Sequence, residues 1–160
     1  MLATRRLYSV VVFAGLAAMV CAGCGDSKNG ADGPDPKGEH GHEGPHGGHL
    51  IEIGDHEYHG EAVHDEAKGT VTIYILDKTA KKAHPIEAKE VVINIAHAGK
   101  AEQFKLAASP DAGDPEGKSS RFVSNDKHLH DDLHEKNAKA RLVVSIGGKS
   151  YTAEIHHDDE

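Results

Sequence analysis

From His49 onward the chain is a succession of short apolar runs set apart by turn-forming residues. Leu50-Ile51-Glu52-Ile53 reads as a strand closed by Gly54-Asp55, and Tyr58 to His64 alternates as a second strand. Asp65-Glu66-Ala67-Lys68-Gly69 is a hairpin loop leading into Thr70 to Leu76. Glu90 to Ile95 pairs naturally with Gln103 to Leu106 across a loop containing Gly99-Lys100, and Arg121-Phe122-Val123 is another short strand. Arg141 to Ile146 and Lys149 to Ile155 make a last hairpin around Gly147-Gly148, a strong two-residue turn signal. Enrichment in β-branched residues favours strands over buried helices in these runs.

Ser124-Asn125-Asp126 followed by Lys127 to Lys136 breaks the alternation. It predicts a short capped helix that makes its apolar contact through Leu129 and Leu133. Ala108 to Ser120, rich in Pro, Gly, Asp and Ser, is a surface loop. Seven or eight short strands over about 110 residues predict one mostly-β domain, a small antiparallel β-sandwich of Ig-like size with one short helix. With no Trp and few Phe, its core must consist mainly of Val, Ile and Leu.

The N-terminus follows a different pattern. Arg5 and Arg6 precede an apolar run from Leu7 to Val20 that only Ser9 and Gly15 interrupt. The run is shorter than the roughly 20 residues a membrane-spanning helix needs, and it fits the apolar region of a secretory signal. Cys21-Ala22-Gly23-Cys24 follows and hydrophobicity then stops. Small residues just before a cysteine resemble the lipobox of bacterial lipoprotein signal peptides. That resemblance implies cleavage before Cys24 and membrane anchoring by palmitate-type acyl chains on it. Cys21 stands where the family usually has leucine, and cleavage after Ala22 or Gly23 to give a soluble secreted protein is the alternative. The resemblance implies the cell envelope, on the periplasmic side or at the outer membrane, and Asp26, two residues after Cys24 and not directly after it, leans toward the outer membrane. Only Cys21 and Cys24 exist, so a chain cleaved and acylated there has no thiol for a disulfide, a nucleophile or a thiolate metal site.

Residues 24–48, dominated by Gly, Pro, Asp, Lys and Glu without a large apolar side chain, read as a flexible tether. The chain thus divides into a signal segment 1–23, a tether 24–48, a β-sandwich domain 49–157 and an acidic tail 158–160. Removing the signal takes away two of 18 basic residues and none of 26 acidic ones, leaving a formal charge near −10. Such a balance argues against nucleic-acid binding, which needs a basic footprint.

All 14 histidines lie beyond the signal segment. The densest tract runs from Glu39 to His49 and holds His40, His42, His46 and His49 with Glu39 and Glu43 on glycine-rich backbone. Neutral imidazole suits Zn, Cu and Ni, and three or four such donors make a site. A solvated low-complexity tract with incidental metal affinity is the plainer reading of the same residues. In the folded part, His56 and His59 flank Tyr58, and His64 with Asp65 and Glu66 sits at a hairpin mouth. On a strand, His59, Glu61 and Val63 point one way, and Tyr58, Ala62 and His64 the other. His130 and His134, four apart on the helix, share one face and could share a metal, though a polar helix face is the plainer account. His156-His157 with the following acids forms a charged tail.

Gly44-Pro45-His46-Gly47-Gly48-His49-Leu50, followed by Glu52 and Gly54-Asp55, resembles a segment near the N-terminus of periplasmic adaptor subunits of heavy-metal efflux pumps of the RND type. In those proteins a GPHGG stretch leads into a small β domain. The likeness covers residues 44–55, and the chain lacks the adaptor's long helical hairpin and its lipoyl and barrel domains. What the resemblance implies is metal handling in the envelope, not that this chain is an adaptor. The chain also resembles small His-rich lipoproteins of this size. Signatures of enzymes are missing from the sequence: no phosphate-binding glycine loop, no GxSxG elbow and no HExxH. The expectation is therefore a non-enzymatic envelope lipoprotein that binds or buffers Zn, Cu or Ni through histidines. Its partners would be the membrane, through the lipid, and a metal-efflux or other envelope protein. Two alternatives stand beside it: a β-sandwich interaction module with no metal role, and a surface protein whose histidines charge together as pH falls.

Overall fold

A computed structural model describes residues 43–97 and 99–156 of the chain. The signal segment, Cys24, His40, His42, His157 and the acidic tail lie outside them. The described residues form β1 (His49–Ile53), β2 (Tyr58–Asp65), β3 (Thr70–Leu76), β4 (Glu90–His97), β5 (Lys100–Ala108), β6 (Arg121–Ser124), α1 (Lys127–Leu133), β7 (Lys139–Ile146) and β8 (Lys149–Ile155).

Every strand pair is antiparallel, in one sheet of order β1-β2-β3-β6-β5-β4-β7-β8. The sheet bends round until β1 packs against β8. The two layers of the expected sandwich are therefore halves of one nearly closed sheet, joined through β6, which pairs with β3 on one side and β5 on the other.

Period-two alternation sets the inner face. Ile51 and Ile53, then Val71, Ile73 and Ile75, Val91, Ile93 and Ile95, and Ala140, Leu142, Val144 and Ile146 all enter one core, with Phe104, Phe122 and Tyr151. Each large side chain removed from water there contributes roughly 1.5–3 kcal/mol of transfer free energy. Polar cross-strand pairs carry the ladder past the apolar stretches. Gln103 Nε2 donates to Asn94 Oδ1 at 2.9 Å, and β4 and β5 continue to His97 opposite Lys100, beyond the apolar residues that defined these strands in the sequence. The β7–β8 turn needs positive φ at both central residues, 58° at Gly147 and 81° at Gly148, which glycine adopts without strain.

Helix α1 packs against β3, and β6 pairs with β5 only at Ala107–Val123 and Ala108–Phe122. Leu129 and Leu133 enter the core, as their spacing predicts. Asp126 caps the helix by accepting the backbone N–H of His128 at 2.9 Å. The helix ends at Leu133, earlier than the sequence pattern suggests, because Glu135 to Asn137 form a turn in which Asn137 takes φ 68°.

Candidate metal centre

Strand parity places a polar layer just beyond the apolar core at the helix-capped end. His64 follows Ala62 on the inner face of β2, and His97 follows Val91, Ile93 and Ile95 on the inner face of β4. Helix α1 lies between them. Its leucines face the core, one flank carries His130 and His134 toward His64, and the other carries Asp132, with Glu135 just beyond the helix, toward His97.

His64, His130 and His134 converge. Ring centroids are 6.0 Å apart for His64–His130, 5.0 Å for His64–His134 and 4.7 Å for His130–His134. One nitrogen from each lies within 4.8 Å of the others. Tetrahedral Zn with bonds of about 2.0–2.1 Å holds its nitrogens about 3.3 Å apart, so small ring rotations would close the set on one ion. His134 Nδ1 lies 2.8 Å from the His130 carbonyl oxygen, which can only accept. The proton therefore sits on Nδ1, and Nε2 is the basic nitrogen. His130, 12% exposed, has both ring nitrogens buried with no hydrogen-bond partner among the described residues, Nδ1 lying 3.5 Å from Asp131 Oδ1. Hydrogen bonds from Lys127 Nζ at 2.8 and 3.0 Å hold the Asp131 carboxyl below the usual aspartate range, so it stays anionic beside His130. The carbonyl behind His134 is the outer support that metal-binding histidines commonly have.

His46 is placed elsewhere. Its backbone N–H donates to Glu61 Oε1 at 2.7 Å, that of Gly48 donates to the same oxygen at 3.0 Å, and His46 Nδ1 lies 2.6 Å from Glu61 Oε2. The imidazole stacks on Tyr74, the cross-strand neighbour of Glu61, with centroids 3.7 Å apart and planes 7° from parallel. Glu61 points away from the core, as strand parity predicts, yet is fully buried beneath this lid. Gly44 and Gly48 permit it, because a Cβ at Gly44 would collide with the Glu61 side chain and one at Gly48 with the Ala62 carbonyl. The last residues of the proposed tether thus belong to the folded domain, which begins by Glu43, where a bridge to His49 starts the pairing. A glycine-rich segment without apolar side chains can thus be fixed by one buried carboxylate.

Of the other expected ligands, His49 faces Ala62 on β1 but is not one of the three that converge. His56, 3.6 Å from Glu52, and His59, whose Nδ1 donates to the Asp77 carbonyl at 3.2 Å, sit at the opposite end of β2 from His64. His59 is separated from His64 by about 17 Å of extended strand. The sequence reading did not single out His97, Asp132 and Glu135. His97 Nε2 lies 3.3 Å from Glu135 Oε2 and 4.0 Å from Asp132 Oδ1. The apolar alternation of β4, continued one step, would have placed His97 on the inner face.

No protein-family model, curated protein or solved structure matches this chain significantly.

Proposed function

We propose that the chain is a non-enzymatic envelope lipoprotein, anchored through Cys24, whose β domain captures or buffers one transition-metal ion between His64, His130 and His134. The observation that carries this reading is the convergence of three imidazoles from a rigid strand end and a capped helix, with nitrogens within 4.8 Å. An all-imidazole set without thiolate favours Zn2+ or Cu2+, with Ni2+ also suited, over Mg2+ or Ca2+. His134, on the exposed side, leaves a fourth position open to water or to a ligand from another protein, which suits a carrier that hands metal onward. The likeness of residues 44–55 to metal-efflux adaptors supports the same setting, with an efflux system as the recipient.

Calorimetric titration of the full chain with Zn2+, Cu2+ and Ni2+ tests this. The tightest equivalent should bind at neutral pH, and His130→Ala or His134→Ala should weaken it at least tenfold while His56→Ala does not. Equal affinity in all four proteins would defeat the reading.

A further inference from the structure

We infer that His97, Asp132 and Glu135 form a second divalent-cation site on the opposite flank of α1, one that takes a harder ion than the three-imidazole set, Mn2+ being the probe of choice. His97 Nε2 lies 3.3 Å from Glu135 Oε2 and 4.0 Å from Asp132 Oδ1, close enough for one ion to meet all three residues. The group is not a loose surface cluster. His97 is 20% and Asp132 18% exposed, and Glu135, at 56%, closes the group on the solvent side.

Several acids of the domain have a lysine of their own. Asp131 is paired with Lys127, Glu90 with Lys105 and Glu57 with Lys149. Among the described residues, His97 is the one basic side chain within ion-pair distance of Asp132 or Glu135. Two carboxylates therefore share one imidazole, and even a protonated ring leaves the group one charge short of neutrality. A divalent ion would neutralise both carboxylates and bind His97 Nε2, the nitrogen that faces them. His97 Nδ1 is buried without a hydrogen-bond partner among the described residues, so the ring is oriented by packing. One imidazole with two carboxylates is a mixed N/O set that accepts Mn2+, whereas three imidazoles favour the later transition metals.

The site uses none of the residues of the proposed zinc or copper centre and stands or falls separately. Loss of the free Mn2+ electron-paramagnetic-resonance signal, followed on the full chain in detergent, should report one bound equivalent. Asp132→Asn combined with Glu135→Gln should weaken that binding at least tenfold, and His130→Ala combined with His134→Ala should leave it unchanged. Both carboxylate changes preserve side-chain shape, and Glu135 is 56% exposed. Glu135→Gln alone, with an unaltered circular-dichroism spectrum, should still lower Mn2+ affinity several-fold. The proposal is overturned if Mn2+ is not held, or is held equally well by the carboxylate variants, leaving only a histidine–carboxylate ion pair. Loss of the tightest Zn2+ equivalent in the histidine variants while Mn2+ binding persists would show the two centres to be independent.

Discussion

His46 Nδ1 lies 2.6 Å from Glu61 Oε2, and the contact closes a glycine-rich lid over a carboxylate on the outer face of β2. The same carboxylate accepts two backbone N–H groups, so its removal leaves three donors to find new partners. Glu61→Ala should therefore destabilise the domain by about 3 kcal/mol, toward the lower end of what losing one member of a buried pair costs. Glu61→Gln should cost only about 1 kcal/mol. Its carbonyl oxygen still accepts both backbone bonds, and its amide can donate to His46 Nδ1 in the other tautomer. Urea unfolding of the two variants checks this. Equal losses would mean that the negative charge, rather than the hydrogen-bond pattern, fixes the lid.

Leu129 is fully buried, and its neighbour His130 is a candidate ligand, so packing and metal binding should depend on the same helix. Leu129→Ala should lower stability by about 3 kcal/mol, within the range for large-to-small changes in a core. In the same variant Zn2+ affinity should fall even though no ligand is altered, because α1 loses one of the two side chains that seat it. Urea unfolding and a Zn2+ titration of this variant give the two numbers. A large stability loss with unchanged Zn2+ affinity would show that the ion does not bind between α1 and β2.

Binding by three imidazoles should also leave a mark in its pH dependence. Each coordinating ring must be neutral, so metal and protons compete at every ligand. Chelator competition at pH 7.5, 6.5 and 5.5 should show affinity falling more than tenfold per unit at the acid end, because more than one proton is displaced. A slope of tenfold or less per unit would indicate a single histidine ligand and exclude the triad.

What the sequence conveyed was the period of each element and hence its faces. The alternation in Thr70 to Leu76 and Glu90 to Ile95, the Gly147-Gly148 turn and the Leu129/Leu133 spacing were enough to foresee the strands, the last hairpin and the seating of α1. Pairings between distant segments were not foreseeable in this way. That β6 returns between β3 and β5, and that α1 meets His64 on one flank and His97 on the other, depends on packing across the whole sheet. For that reason His64 and the His130/His134 pair appeared in the sequence as separate weak candidates. Density of histidine also drew attention to His46, whose imidazole nitrogen is engaged by a buried acid. Glu61 gave no signal of its burial, since an acid at an outward position of a strand normally faces water.

At the end of the barrel away from α1, Glu57 ties the β1–β2 turn to β8 across the unpaired seam. Its Oε2 accepts from Lys149 Nζ at 3.0 Å and from the Tyr151 hydroxyl at 2.9 Å. The Lys149 hydrogen bond, reinforced by Tyr151, holds the Glu57 carboxyl below its ordinary value of 4.5. A carboxyl whose pKa is lower folded than unfolded binds protons more readily when unfolded. Its stabilising contribution is therefore complete above 4.5 and is lost as pH falls below that value toward the folded pKa. Glu57→Gln should lower the thermal unfolding midpoint at pH 7, modestly because the pair is solvent-exposed. The difference between the two proteins should shrink as pH drops below 4.5, where the native carboxyl also becomes neutral. Unfolding midpoints measured at pH 7, 5, 4 and 3 decide it. A gap that stays constant down to pH 3 would mean that Glu57 acts through its shape alone and that its charge does not help to close the seam.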